Sequence, residues 1–285
     1  MNDGKFSIVT FYERRARRIL PALFFVMLCC LPFAYFWLLP EHLKDFGQSL
    51  AAVSVFSSNI LFWKESGYFG VASELKPLLH TWSLAVEEQY YVLFPLFLMA
   101  LWKLRKRWIF GALIVVGALS LVVAQWGAYN QPAAAFFLLP TRGWELAIGA
   151  LIAFYFLYKR EHEEFIRSRK KTSEVFGFIG LALIGYSVFA FDASTPFPSL
   201  YALIPTVGTG LIIIFATSET AVGRFLGIKP MVGIGLLSYS AYLWHQPLFV
   251  FARHRSIQES TALLLALSVF SILLAYVSWR FVEKT

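Results

Sequence analysis

The chain has 285 residues, of which 58% are hydrophobic, 18% aromatic and only 15% charged, and its mean hydropathy is +0.64. This excludes an ordinary soluble domain, and two adjacent cysteines, Cys29 and Cys30, exclude a disulfide framework or a thiolate metal site. The formal charge of +8 resides in short basic loops beside hydrophobic stretches, a pattern that orients a membrane protein and argues against nucleic-acid binding.

A hydrocarbon core of ~30 Å takes about 20 mostly apolar residues of helix. In chain order, the basic string ERRARR supplies Arg14, Arg15, Arg17 and Arg18 ahead of a first expected span over 20–39, which has no small-residue cleavage site and should remain as an anchor. The run 47–63 is ambiguous because it is short and contains Ser49, Ser54, Ser57, Ser58 and Asn59. Further spans are expected over 83–103, 108–126, 141–158, 175–191, 200–217, 234–252 and 261–281. If 47–63 does not cross, the KLRKR loop 103–107, the basic loop 159–171 and most other Lys and Arg residues fall on the cytoplasmic side. The expected fold is therefore all-α: one polytopic membrane helical bundle over 1–285, with about eight crossings and both ends cytoplasmic. Trp37, Trp82, Trp102, Trp108, Trp126, Trp144 and Trp279 fall near span ends, as in an interfacial belt, whereas Trp244 is mid-span.

Ionisable residues inside such spans are costly and usually carry function. They occur in HTWSLAVEEQYY as Glu87 and Glu88, in PTRGWELAIG as Arg142 and Glu145, and in SYSAYLWHQPL as His245. At 1.5 Å per residue, Glu87, Glu145 and His245 each lie roughly 6–10 Å inside the outer ends of their spans. A polar cavity open to the outside follows as an expectation, covered by segment 40–82 with Gly67, Gly70 and Pro77, and with His80 and Trp82 at the next helix entrance. One of Glu87 and Glu88 should face inward, since neighbours on a helix point apart. Arg142 and Glu145, three residues apart, are placed to meet as a structural ion pair or as substrate-binding groups. His245 reads either as a packed histidine donating to a backbone carbonyl or as a catalytic one. Arg15 and Arg18, one turn apart, serve orientation or form a fork for a phosphorylated donor. The five histidines show no ligand spacing with each other, so no metal site is expected.

The ordered strings FYERRARRILPAL, HTWSLAVEEQYYVLFP, TRGWELAIGALIA, LSYSAYLWHQPL and RFVEK resemble the membrane acyltransferase-3 family over nearly the whole chain. The resemblance implies an inner-membrane enzyme that moves an acyl group, often acetyl, from acyl-CoA or a related donor to a hydroxyl of an extracytoplasmic saccharide or cell-envelope glycan. By position it implies donor binding at Arg15 and Arg18, catalytic roles for Glu87, Tyr239 and His245, and substrate binding at Arg142 and Glu145. In a complete member a histidine would act as general base, oriented or charge-balanced by a buried carboxylate such as Glu87, and Arg142 or the Tyr239 hydroxyl would stabilise charge on the acyl oxygen. Family members usually begin with two further helices, the first bearing the usual catalytic histidine, and often end in an extracytoplasmic domain; neither has a counterpart here, and neither His80 nor His245 matches that histidine by position. The resemblance therefore implies an N-terminally shortened chain, with a protein partner as one source of the missing elements. Two other classes stay open: a flippase-like carrier, disfavoured by the lack of internal repeats, and a non-catalytic remnant or scaffold.

Overall fold

The computed structural model describes residues 7–66, 75–101, 103–158, 169–255 and 260–284. Gly67, Gly70, Trp102, His162 and residues 159–168 of the basic loop lie outside the described residues. All regular structure among the described residues is helical. The α-helices are α1 (Ile8–Trp37), α2 (Pro40–Ser54), α3 (Ser58–Glu65), α4 (Thr81–Ala100), α5 (Lys106–Asn130), α6 (Pro132–Phe137), α7 (Leu139–Tyr158), α8 (Lys170–Ala190), α9 (Leu203–Phe215), α10 (Ala221–Leu226), α11 (Lys229–His254) and α12 (Thr261–Ser278). A 3₁₀ turn, Leu200–Ala202, leads into α9, and a π turn, Trp279–Glu283, follows α12.

Among the described residues, five stretches are long and apolar enough to cross a membrane: Ile8–Trp37, Lys106–Asn130, Pro132–Leu157, Lys170–Ala190 and Thr261–Glu283. The protein is thus an all-helical, polytopic membrane protein. The other three expected spans form α4, α9 and α11. Of these, α4 and α11 have sufficient length, 20 and 26 residues, but carry the polar groups singled out above. The first span starts earlier than hydropathy suggests: α1 begins at Ile8, capped by the Ser7 hydroxyl accepting from the Thr10 N–H, so ERRARR lies within the helix. The ambiguous run 47–63 is not one helix, because it breaks at Phe56, whose φ of 52° leaves the helical region. The pieces, α2 of 15 residues and α3 of eight, are roughly 22 Å and 12 Å long, short of a ~30 Å hydrocarbon core.

The chain divides into two compact units, one of Met1–Ala85 with Gly233–Thr285 and one of Val86–Val232. In the first, α1 buries a stripe of Ile19, Ala22, Leu23, Val26, Met27, Cys30 and Ala34, at the spacing that keeps one helix face inward. It packs with Phe46 and Val53 of α2 and with Leu243, Trp244 and Phe251 of α11. The mid-span Trp244 is a packing residue, and its indole N–H donates to Ser278 of α12 at 2.7 Å. Lys76, 6% exposed, pairs with Glu65 at 2.5 Å and tethers the approach to α4 onto α3.

In the second unit, Trp144 is buried against Ala124 and Ala202 rather than standing in an interfacial belt. Helices α8 and α9 approach closely through Gly180 and Gly208. A Cβ on Gly180 would lie 2.7 Å from the Gly208 carbonyl oxygen, and one on Gly208 2.8 Å from that of Gly180. Small residues allow this backbone contact, which carries helix association where lipid weakens the hydrophobic drive. Gly180→Val is therefore expected to cost about 1–3 kcal/mol by overpacking, read as a lower unfolding temperature in detergent. Gly149→Ala, with open space around its Cβ, should leave that temperature unchanged.

Candidate functional site

In the first unit, the start of α4 is pinned by buried hydroxyls. Ser58 donates to the Thr81 carbonyl at 3.0 Å, and the Thr81 hydroxyl lies 2.7 Å from the Leu78 carbonyl and 3.2 Å from Ser58 Oγ. This fixes His80, just ahead of α4, against α11. The His80 ring stands edge-on to Tyr242 and His245, with centroids 4.9 and 5.3 Å apart. The Tyr242 hydroxyl donates to the His80 carbonyl at 2.5 Å, and Ser83 Oγ lies 2.9 Å from the Tyr242 oxygen. Neither His80 ring nitrogen has a hydrogen-bond partner among the described residues. Burial, reinforced by the neighbouring His245, pushes the His80 pKa down to about 3, so this ring is neutral at physiological pH.

His245 Nδ1 lies 2.7 Å from the Tyr242 carbonyl. A carbonyl only accepts, so Nδ1 carries a proton, and in the neutral ring Nε2 keeps its lone pair. The backbone contact foreseen for a merely packed histidine is present, and it also selects the tautomer that leaves a basic nitrogen. Tyr239, one turn earlier, donates its hydroxyl proton to the Ile19 carbonyl at 2.9 Å and ties α11 to α1. Ser240 bonds Glu283 from the same helix. On α1, Arg15 is half-buried and Arg18 exposed, one turn apart, and Arg17 pairs with Glu13 at 2.8 Å.

In the second unit, Glu87 and Glu88 of α4 are both half-buried, so the division into one inward and one outward carboxylate is incomplete. The first turn of α7 is held by the Thr141 hydroxyl, 2.7 Å from the Ala135 carbonyl and 2.8 Å from that of Leu138. Ser120 of α5 adds a clasp, donating to the Pro140 carbonyl at 2.6 Å and accepting the Trp144 N–H at 3.1 Å. With Trp144 buried between them in sequence, Arg142 and Glu145 share a neighbouring helix face and meet at 2.9 Å. The Arg142 guanidinium also lies 4.6 Å from the Phe197 ring centroid. Glu145 Oε1 is buried without a hydrogen-bond partner among the described residues, leaving an acceptor for a hydroxyl. No group of three or more His, Cys, Asp or Glu side chains suited to a metal ion occurs among the described residues.

Residues 1–280 match the acyltransferase 3 family, described as an acyltransferase domain. The chain belongs to the acyltransferase 3 family. It is 28% identical to the O-acetyltransferase OatA of Staphylococcus aureus (strain NCTC 8325 / PS 47) over 98% of this chain and 47% of that protein. It is 29% identical to the peptidoglycan O-acetyltransferase OatA of Listeria monocytogenes over 96% of this chain and 45% of the relative. It is 26% identical to the putative peptidoglycan O-acetyltransferase YrhL of Bacillus subtilis (strain 168), over 99% and 46%. The chain thus spans about half the length of these relatives. No solved structure matches it.

Within this family chain, sequence reasoning passed over Ser83, Ser120, Tyr242 and Ser278, which set the orientations just described. Ser83 and Tyr242 stood inside the quoted strings HTWSLAVEEQYY and SYSAYLWHQPL, and a hydroxyl within an apolar span was the available signal.

Proposed function

We propose that the protein is a membrane O-acyltransferase that moves an acyl group, acetyl as the reference case, from a CoA-type donor to a hydroxyl of an extracytoplasmic saccharide or cell-envelope glycan. It would reside in a bacterial inner membrane with both ends cytoplasmic, crossing through α1, α4, α5, α7, α8, α11 and α12, with the shorter apolar stretch Leu200–Phe215, the 3₁₀ turn and α9 together, as the eighth passage. The observation that carries the chemical reading is the Nδ1 bond of His245 to the Tyr242 carbonyl, which leaves Nε2 as a base. The acceptor hydroxyl passes its proton to Nε2 as its oxygen bonds to the acyl carbon. The thioester C–S bond breaks, and the imidazolium returns the proton to the departing thiolate. The first unit would also engage donor phosphates through Arg15 and Arg18, whose spacing and the exposure of Arg18 fit a fork on the cytoplasmic side. Taken by itself, the second unit holds the Glu87 carboxylate and, in Arg142 and Glu145, a cation suited to a negatively charged group and an acceptor for sugar hydroxyls.

Reconstitution of the full chain with acetyl-CoA and a glycan acceptor tests this reading, with ester formation followed by mass spectrometry. Glu87→Gln keeps the shape and removes the charge, and is expected to lower transfer at least ten-fold, within the range for a positioned acid–base group; unchanged transfer removes Glu87 from the mechanism. Arg15→Ala and Arg18→Ala should raise the donor KM while insertion and orientation persist, whereas inverted or unstable protein would make them orientation signals only. Uptake of the glycan without a new ester would replace the enzyme reading by a carrier.

A further inference from the structure

The second unit contains a half-open apolar pocket of about 310 Å³. Its walls include Tyr90 and Phe94 of α4, Leu113 and Val116 of α5, and Gly143 and Ala147 of α7, and no charged side chain lines it among the described residues. We propose that it holds the hydrocarbon chain of the transferred acyl group, with the Tyr90 hydroxyl donating to the acyl oxygen. This inference rests on the acyl-transfer reading and names the class of acyl group, one longer than acetyl.

The volume equals that of roughly ten waters, well beyond an acetyl group. Water is a poor occupant, because a buried water needs two to four polar partners. Of the polar side chains lining the cavity, Ser120 is already committed to the Pro140 carbonyl and the Trp144 N–H. The Tyr90 hydroxyl is buried and has no hydrogen-bond partner among the described residues. A buried phenol in the membrane calls for an acceptor oxygen. Tyr90 lies nine residues into α4, roughly 14 Å along its axis, and with α4 as one of the proposed crossings a bilayer lipid presents methylenes at that level and not its ester oxygens. An acyl donor brings both a chain and a carbonyl. The cavity also adjoins the groups proposed for chemistry in this unit: Tyr90 follows Glu87 by three residues on α4, and Gly143 follows Arg142 on α7.

The test uses the full chain in phosphatidylglycerol nanodiscs and a photoreactive octanoyl-CoA with a diazirine at the chain end. Labelling is expected on peptides of α4, α5 and α7, competed by unlabelled octanoyl-CoA. Val116 is 50% exposed, so Val116→Phe fills the mouth without straining the core, and Ala147→Leu narrows the floor. Each should lower the ratio of octanoyl to acetyl transfer by about ten-fold, the scale of discrimination set by a few methylenes in an apolar pocket. Tyr90→Phe should weaken labelling while the protein stays folded. Labelling elsewhere, labelling that survives Val116→Phe, or labelling by a photoreactive phosphatidylglycerol but not by the thioester overturns the proposal. A labelled pocket with no ester formed from either donor overturns acyl transfer and keeps the pocket; ester formation with the pocket unlabelled does the reverse.

Discussion

Replacing His245 with Asn is expected to lower acyl transfer by about 10²–10⁴-fold, the range for loss of a general base. Asn retains an amide N–H able to reach the Tyr242 carbonyl, which now accepts from Nδ1 at 2.7 Å, and it has no basic nitrogen in place of Nε2. The unfolding temperature in detergent should therefore stay near that of the native protein while transfer collapses. Single-turnover assays of the purified variant check this. Transfer within a few-fold of native would make His245 a packing residue whose contact with Tyr242 serves only the fold.

Breaking the Arg142–Glu145 pair should have the largest effect on stability. The two groups meet at 2.9 Å with side-chain exposures of only 14% and 22%, and removing one leaves the other charged and nearly buried. Arg142→Met or Glu145→Met alone is expected to cost about 3 kcal/mol, read by thermal or chemical unfolding in detergent. The double replacement by Met removes both charges and should recover most of that loss, since apolar residues of similar size often match a buried ion pair. If the pair also binds substrate, acyl transfer stays low in the double variant despite restored stability. Recovery of both would make the pair purely structural.

The membrane class, the polar groups inside spans and the Arg142–Glu145 contact were legible in the sequence because each depends on local periodicity. Hydropathy summed over about 20 residues reports a span, and a spacing of three places two side chains on one helix face. The same windows misjudged the start of α1, because a helix extends beyond its apolar core when its cap and first turns are satisfied, here by Ser7. They left 47–63 ambiguous because composition does not report a single backbone reversal such as that at Phe56. Trp144 and Trp244 were read by depth alone, which does not say whether an indole faces lipid or a neighbouring helix.

The sequence by itself determined a helical membrane protein of the acyltransferase 3 family and the ionisable residues that stand inside its apolar helices. Only the tertiary structure decided how those residues are held. His80 and His245 are far apart in the chain and share no spacing, yet their rings stand 5.3 Å apart, as do those of His42 and His254 at 5.0 Å. The proton on His245 is fixed by a carbonyl one turn away, and Tyr242 itself is anchored to the His80 carbonyl across 162 residues. Such pairings depend on which helix faces pack together, a choice made by close-packed side chains and buried hydroxyls over the whole unit and not by any local window of sequence.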